Sequence, residues 1–352
     1  MVAQKGIDFS DTLQSAMTIF QGASEKLQQV MEIHMSFERK PLVVVAGSLS
    51  KQGRSVAQSL LGSGRYRVRA LTSRTGSAEA IRLAGQGAEL VEVPLALNHG
   101  KDLVKAFQGA QMAFLMTPGV VPPADYEFDI GKELADACVQ AGVGHIVFSS
   151  LENVDSITGG TGFAPHFTDK ARVEAYIRGL PIRSSFIQLA FFYTNLLEYY
   201  VPRKDGDALV FPVYLPEHFQ APFVDPLTAT GPAVLEIFDH PDIYTGHTLP
   251  VIGDVLSPAE MIETFTRVTG RNAVYASAYR SKELINHFPE FAENEELVRE
   301  IIGMAKYAVE QGYFRKDRDL EWSRRINPAS LSWEQFLRTT NWNGDRKAFG
   351  II

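Results

Sequence analysis

Apolar residues in this chain fall into short continuous runs separated by stretches of helical spacing. Residues 42–46 read Leu-Val-Val-Val-Ala, wholly apolar and rich in β-branched side chains, as a parallel strand buried on both faces requires. A glycine turn follows, and residues 55–61 then carry apolar positions at helical intervals. The alternation continues with strand runs at 66–72, 89–93, 112–116, 145–150 and 184–189. Between them lie helical patterns at 77–86, 101–107, 128–140 and 170–178, which stop at Gly87, Gly109, Gly142 and Gly179, as glycine at a helix C-terminus predicts. The pattern predicts an α/β fold, a doubly wound parallel sheet of the Rossmann type with ligands at the carboxyl ends of its strands.

Past Leu189 the alternation lapses. Pro202, Pro212, Pro216, Pro222 and Pro226 predict irregular loops over one edge of the sheet. Helices are still signalled: Ser257-Pro258-Ala259-Glu260 is a capping box with Gly270 at the far end, a second helix spans about 293–311 and stops at Gly312, and Ser332-Trp333-Glu334-Gln335 opens a third. Trp322, Trp333 and Trp342 read as packing for these helices. The expected division is an N-terminal helical arm (1–38), a dinucleotide-binding Rossmann domain (39–190) and a smaller α+β subdomain (191–352) that shares part of the sheet and covers the substrate. In the arm, Leu13, Met17 and Phe20, then Leu27, Met31 and His34, have helical spacing, which suits packing on the body or on a second copy. Its acids Asp8, Asp11, Glu25 and Glu32 argue against a mitochondrial presequence.

Composition narrows the function. A net charge of −7 gives no basic surface for direct nucleic-acid binding, and no apolar run approaches the length of a membrane span. The single cysteine, Cys138, allows no internal disulfide, sits in an apolar helical run and reads as inert core in a cytoplasmic or nuclear protein. The eight histidines are scattered without metal-ligand spacing, so no metal is expected. Nor is there a Gly-x-Ser-x-Gly elbow of an α/β-hydrolase.

The first strand, turn and helix carry the strongest chemical signal. Gly47, Ser50 and Gly53 form a G-x-x-G-x-x-G pattern with serine at the middle glycine. Such a turn presents backbone N–H groups and a helix N-terminus to a diphosphate. Gly47, Ser48, Ser50, Gln52, Gly53 and Arg54 are therefore the candidate cofactor contacts there. The second strand ends Thr72-Ser73-Arg74 with no carboxylate to hold a ribose 2′-OH. Thr72, Arg74 and Arg54 suit a 2′-phosphate, which favours NADP over NAD.

Several segments together resemble the NmrA-like family of atypical short-chain dehydrogenase/reductases. They are Gly47-x-x-x-x-Gln52-Gly53-x-Ser55-Val56, Val68-Arg69-Ala70-Leu71-Thr72, Gly87-Ala88-Glu89 and Val147-Phe148-Ser149-Ser150-Leu151-Glu152-Asn153. His166-Phe167-Thr168-Asp169-Lys170-Ala171-Arg172-Val173-Glu174, Ala190-Phe191-Phe192, Pro250-Val251-Ile252-Gly253-Asp254 and Gly312-Tyr313-Phe314 extend the likeness over roughly residues 40–345. Two positions depart from the family: Ser50 replaces a glycine, and Pro94 stands where an aspartate usually follows the third strand.

The resemblance implies NAD(P) binding and two alternative roles. One is NADPH-dependent reduction of a small organic carbonyl, quinone or enone, in the manner of secondary metabolism. The other is a non-catalytic NADP(H)-sensing regulator with a protein partner. For catalysis the candidates are Lys170, which would grip the nicotinamide ribose and serve or tune an acid–base group, and His166, four residues earlier, where ordinary members carry a tyrosine. Thr117 and Ser149, after the fourth and at the end of the fifth strand, should flank the cofactor, and Phe191, Phe192, Tyr193, Asn195 and Tyr199 could wall a flat substrate. A small-molecule substrate and a homodimer or regulatory partner complete the expectation.

Overall fold

A computed structural model describes residues 40–314 and 320–347, and the arm expected at 1–38 lies outside them. The chain runs β1 (Leu42–Val45), α1 (Lys51–Ser63), β2 (Arg67–Thr72), α2 (Ala78–Gly85), β3 (Glu89–Glu92), α3 (Gly100–Phe107), β4 (Met112–Leu115), α4 (Glu127–Gln140), β5 (His145–Ser150), α5 (Val154–Thr158), α6 (Pro165–Arg178) and β6 (Arg183–Leu189). There follow β7 (Phe191–Phe192), α7 (Asn195–Glu198), β8 (Arg203–Asp205), β9 (Ala208–Val213), β10 (Ala221–Val224), α8 (Pro226–Asp239), α9 (Pro241–Tyr244), β11 (Thr248–Val251) and β12 (Asp254–Leu256). The last elements are α10 (Pro258–Thr269), β13 (Ala273–Ser277), α11 (Ser281–His287), α12 (Glu295–Tyr307), α13 (Leu320–Ile326) and α14 (Trp333–Thr340).

The main sheet has seven strands in the order β11-β6-β5-β4-β1-β2-β3, all parallel. Chain order therefore reverses beside β1, which makes the carboxyl ends of β1 and β4 a topological switch point, the place where such sheets bind ligands. Strand alternation splits the core between two faces. Val43 and Val45 join Val56 and Leu60 of α1 and Val234 and Ile237 of α8. Leu42, Val44 and Ala46 join Phe107, Leu134 and Ile177 of α3, α4 and α6. The first of these cores runs on without a break into the C-terminal aromatics, where Phe211, Phe265, Trp333 and Trp342 pack edge to face. Trp322, like the other two tryptophans, is buried.

The region beyond Leu189 departs in part from expectation. It holds strands β9 and β10 where Pro212 and Pro222 predicted loops, in two three-stranded sheets ordered β12-β10-β7 and β13-β9-β8, while β11 joins the main sheet. Proline falls in these strands only where a neighbour is present on one side. Pro250 is on the edge strand β11. Pro212 lies beyond the reach of β8 and pairs only with β13, and Pro222 lies beyond β7 and pairs only with β12. A missing N–H goes unmissed at such positions. Helix α8 also escaped notice because Pro226 and Pro232 mask its pattern, although Pro226 occupies the first turn, where its fixed φ is favourable. Helix α6 likewise starts at Pro165, earlier than the apolar spacing implied.

Cys138 is fully buried, and burial pushes its thiol well above the ordinary range, so it is packing. His145, at the amino end of β5, is also buried. Ser185 Oγ donates to the carbonyl of Tyr244 (2.9 Å), so it accepts from His145 Nε2 (2.9 Å), and Nδ1 has no partner. Charging this ring would bury a cation without an acceptor, and burial lowers its pKa to about 4, with nearby Arg183 adding to the effect. The unfolded chain then takes up a proton between pH 6.5 and 4 that the native ring refuses. The histidine's contribution is complete above the unfolded pKa and is lost as pH falls through that window, at up to about 1.4 kcal/mol per pH unit. Urea midpoints measured between pH 7 and 4.5 should therefore flatten in His145→Gln, which keeps an N–H donor; a profile parallel to wild type would refute this account.

Candidate active site at the carboxyl ends of β1, β4 and β5

The turn between β1 and α1 is set by space as much as by conformation. Gly47 has φ +64°, the left-handed region that side chains avoid. A Cβ on Gly53 would stand 2.1 Å from the carbonyl oxygen of Gly47, so the start of α1 can lie on the turn only if that residue is glycine. Ser50 needs no such freedom. Its φ is −67°, and it is the N-cap of α1, its hydroxyl accepting from Gly53 N (3.0 Å). The hydroxyl also donates to Met116 Sδ (3.0 Å), so the end of β4 lies against the turn. Ser48 faces inward, with its amide and hydroxyl both donating to the carbonyl of Leu71. The amides of Lys51 and Gln52 donate to nothing among the described residues and remain for an anion.

Arg54, in the first turn of α1, has buried Nε and Nη2 atoms without any partner. Desolvation by this burial lowers its pKa. An ordinary guanidinium would not be left so; the arrangement fits an anion such as a nucleotide phosphate, and with the glycine cradle it fits NAD(P). Lys51 is paired with Glu198 of α7, and its ammonium also lies 5.7 Å from the ring centroid of Tyr199. Thr72 is buried and its hydroxyl accepts from the amide of Arg74 (3.1 Å), so these two expected contacts share one bend after β2.

Across the crevice, Ser149 at the end of β5 donates to Gln52 Oε1 (2.7 Å) and ties that strand to the turn. Lys170 donates to Thr117 Oγ1 (2.7 Å) and to Glu127 Oε1, and Thr117 donates to the same carboxylate oxygen (2.5 Å). Thr117 and Glu127 are each 1% exposed, so this is a buried ion pair closed through a hydroxyl. Glu127 also begins α4, where the helix dipole favours negative charge. His166 lies one turn before Lys170 on α6 but turns elsewhere: its Nδ1 meets Glu300 Oε1 of α12 at 2.5 Å. The two candidates thus share a helix face without sharing a partner.

Reasoning from sequence missed Glu127, Glu300, Glu198 and Met116. Glu127 did carry a signal, since with Ile130, Gly131, Leu134 and Cys138 it falls on the buried stripe of α4. Of the aromatics proposed as a substrate wall, Phe191 and Tyr193 are core: Phe191 stacks on Tyr313 (4.6 Å) and Tyr193 on Phe223. Ser150 is buried as well. A cavity of about 480 Å³ lies beside α6, lined by Leu151, Asn153, Glu174, Gln188, Pro250 and Phe314. Among the described residues no acidic, cysteine and histidine cluster could hold a metal, and no helix is long and apolar enough to cross a membrane.

Sheet order and turn define a Rossmann-type α/β protein with its candidate site at the switch point. The chain belongs to the NmrA-like family, whose model matches residues 39–338. It is 30% identical to the NmrA-like family domain-containing oxidoreductase FrzB of a Cladobotryum species, over 72% of this chain and 81% of that one. It is 26% identical to the nitrogen metabolite repression protein nmrA of Emericella nidulans, over 76% and 77%. A crystal structure of a double mutant of NmrA superimposes with a TM-score of 0.71 at 25% identity, covering 85% of this chain and 95% of that one.

The steric reading of the turn is directly testable. Gly53→Ala should lower stability by about 3 kcal/mol or more, because the obstructing atom is backbone and cannot rotate away. Gly62→Ala in the same helix meets nothing within 4 Å and should raise stability by up to about 1 kcal/mol. Chemical denaturation of both variants separates the two effects.

Proposed function

We propose that this protein is an NADPH-dependent reductase of a small organic carbonyl, quinone or enone. The observation that carries the reading is the pair of acid–base residues on α6, each held by its own buried carboxylate, Lys170 by Glu127 and His166 by Glu300. A protein that merely held a dinucleotide would need a ribose contact and no such pair. Gly47, Gly53 and the first amides of α1 would hold the pyrophosphate, and Arg54 with Arg74 the 2′-phosphate, while Thr117, Ser149 and Lys170 would face the nicotinamide end. When bound, the reduced nicotinamide supplies hydride; the chain's own task is to exclude water, orient the acceptor and provide the proton.

Relatives named as oxidoreductases in Cladobotryum and Aspergillus species support a reductase, and the similarity to nmrA keeps the regulator as the second reading. Calorimetric titration should give tighter binding of NADP than of NAD, and Arg54→Met should weaken NADP at least about tenfold while moving NAD little. NADPH consumption against a panel of quinones and enones should be lost in Lys170→Ala. Tight NADP binding with no turnover of any panel member would replace the reductase with the regulator, and no binding of either nucleotide would remove both.

A further inference from the structure

Helix α12 reaches the site from the C-terminal part of the chain and is pinned there at three points. Its cap residue Asn294 donates Nδ2 to the carbonyl of Pro122 (2.7 Å), in the loop that follows β4. Gly303 brings the helix so close to the segment before α6 that a Cβ there would lie 1.9 Å from the carbonyl oxygen of Phe163. Between these anchors Glu300, 5% exposed, accepts from the backbone N–H of His166 (3.0 Å) and from its Nδ1 (2.5 Å). A carboxylate can only accept, so Nδ1 carries a hydrogen. Among the described residues the other ring nitrogen, Nε2, has no hydrogen-bond partner, and the side chain is 28% exposed. Lys170, by contrast, directs its ammonium to Thr117 and Glu127.

We infer that Glu300 is a positioning residue that fixes the tautomer of His166, and that His166 Nε2, rather than Lys170, delivers the proton to substrate. This rests on the reductase reading above. In that reduction the electron pair of the substrate π bond collects on oxygen as hydride arrives from reduced nicotinamide, and the oxygen takes the proton from Nε2. The ring is recharged from solvent. The carboxylate orients the imidazole and offsets its charge while both nitrogens are protonated, a division of labour known from other carboxylate–histidine pairs.

The test reads the ring directly in the full chain. Long-range ¹H–¹⁵N spectra at alkaline pH, with the His166 signals assigned by loss in His166→Asn, should show the Nδ1-protonated tautomer in wild type. Glu300→Gln should move the ring toward the Nε2-protonated form, and Glu300→Asp should restore part of the wild-type pattern. With a quinone that wild type reduces, Glu300→Gln should lower kcat about 10- to 100-fold with KM and NADP affinity little changed. An Nε2-protonated ring in wild type overturns the proposal, as does Glu300→Gln with an unaltered tautomer and kcat. Wild type that turns over no panel member overturns the reductase reading instead, and the ring spectrum then decides the role of Glu300 alone.

Discussion

The structure depends on one close approach: the backbone of Gly53 seated on the carbonyl of Gly47. Because no side chain can stand between them, α1 begins directly at the end of β1 and points its unpaired amides into the gap between β1 and β4. Everything chemically interesting is then measured from that helix. Gln52 reaches Ser149 of β5, Lys51 reaches Glu198 of α7, and Ser55 accepts from the amide of Gly231 (2.8 Å) in α8. That last contact is another glycine approach, since a Cβ on Gly231 would stand 2.1 Å from the carbonyl oxygen of Ser55. Helix α1 is thus clamped between the turn on one side and α8 on the other, and its N-terminus has little freedom to drift.

Charge is distributed unevenly around this frame. Lys170 and Lys51 each have a carboxylate partner with most of its surface buried, whereas Arg54 has buried guanidinium nitrogens with none. Leaving a buried polar group unsatisfied costs roughly 1–3 kcal/mol, more when it is charged. The protein tolerates that cost at Arg54, beside the turn, where a 2′-phosphate is expected. The paired lysines carry a different meaning. A buried pair is weak evidence for stability, because desolvation offsets much of the attraction, but it holds an ammonium in one geometry.

The sheet was readable because its central strands β1 and β4 are continuous apolar runs and helical spacing separates the strands from one another, and all six expected strands appear in it. The β11 strand and the two small sheets were not readable, since proline breaks a strand reliably only at a position paired on both sides, and Pro212, Pro222 and Pro250 are each paired on one side. The site divides in the same way. Gly47, Gly53, Arg54, Thr117, Ser149, Lys170 and His166 lie on or beside the first six strands, where local pattern places them. Glu300 and Glu198 reach their partners across 134 and 147 residues, and no local pattern encodes such a meeting. Glu127 stands between these cases, as an acid on an apolar stripe, a conflict between levels that marks functional or specially paired positions.

Ser50 shows how far a family pattern can be read as physics. The middle position of the glycine motif is extended, not left-handed, so glycine is not required there by backbone geometry. Serine gains a helix cap, worth about 1 kcal/mol, and gives up one free donor, because its hydroxyl takes the amide of Gly53. The amide of Ser50 itself goes to the carbonyl of Gly47 (2.9 Å) and that of Arg54 to the carbonyl of Ser50 (2.9 Å). The amides of Ser48, Ser50, Gly53 and Arg54 are therefore taken, while those of Lys51 and Gln52 at the start of α1 remain for an anion. In the proposed site the two features would serve different phosphates of one ligand: the turn capped by Ser50 would leave fewer backbone donors for the pyrophosphate, and the unpartnered Arg54 would add its hold on the 2′-phosphate.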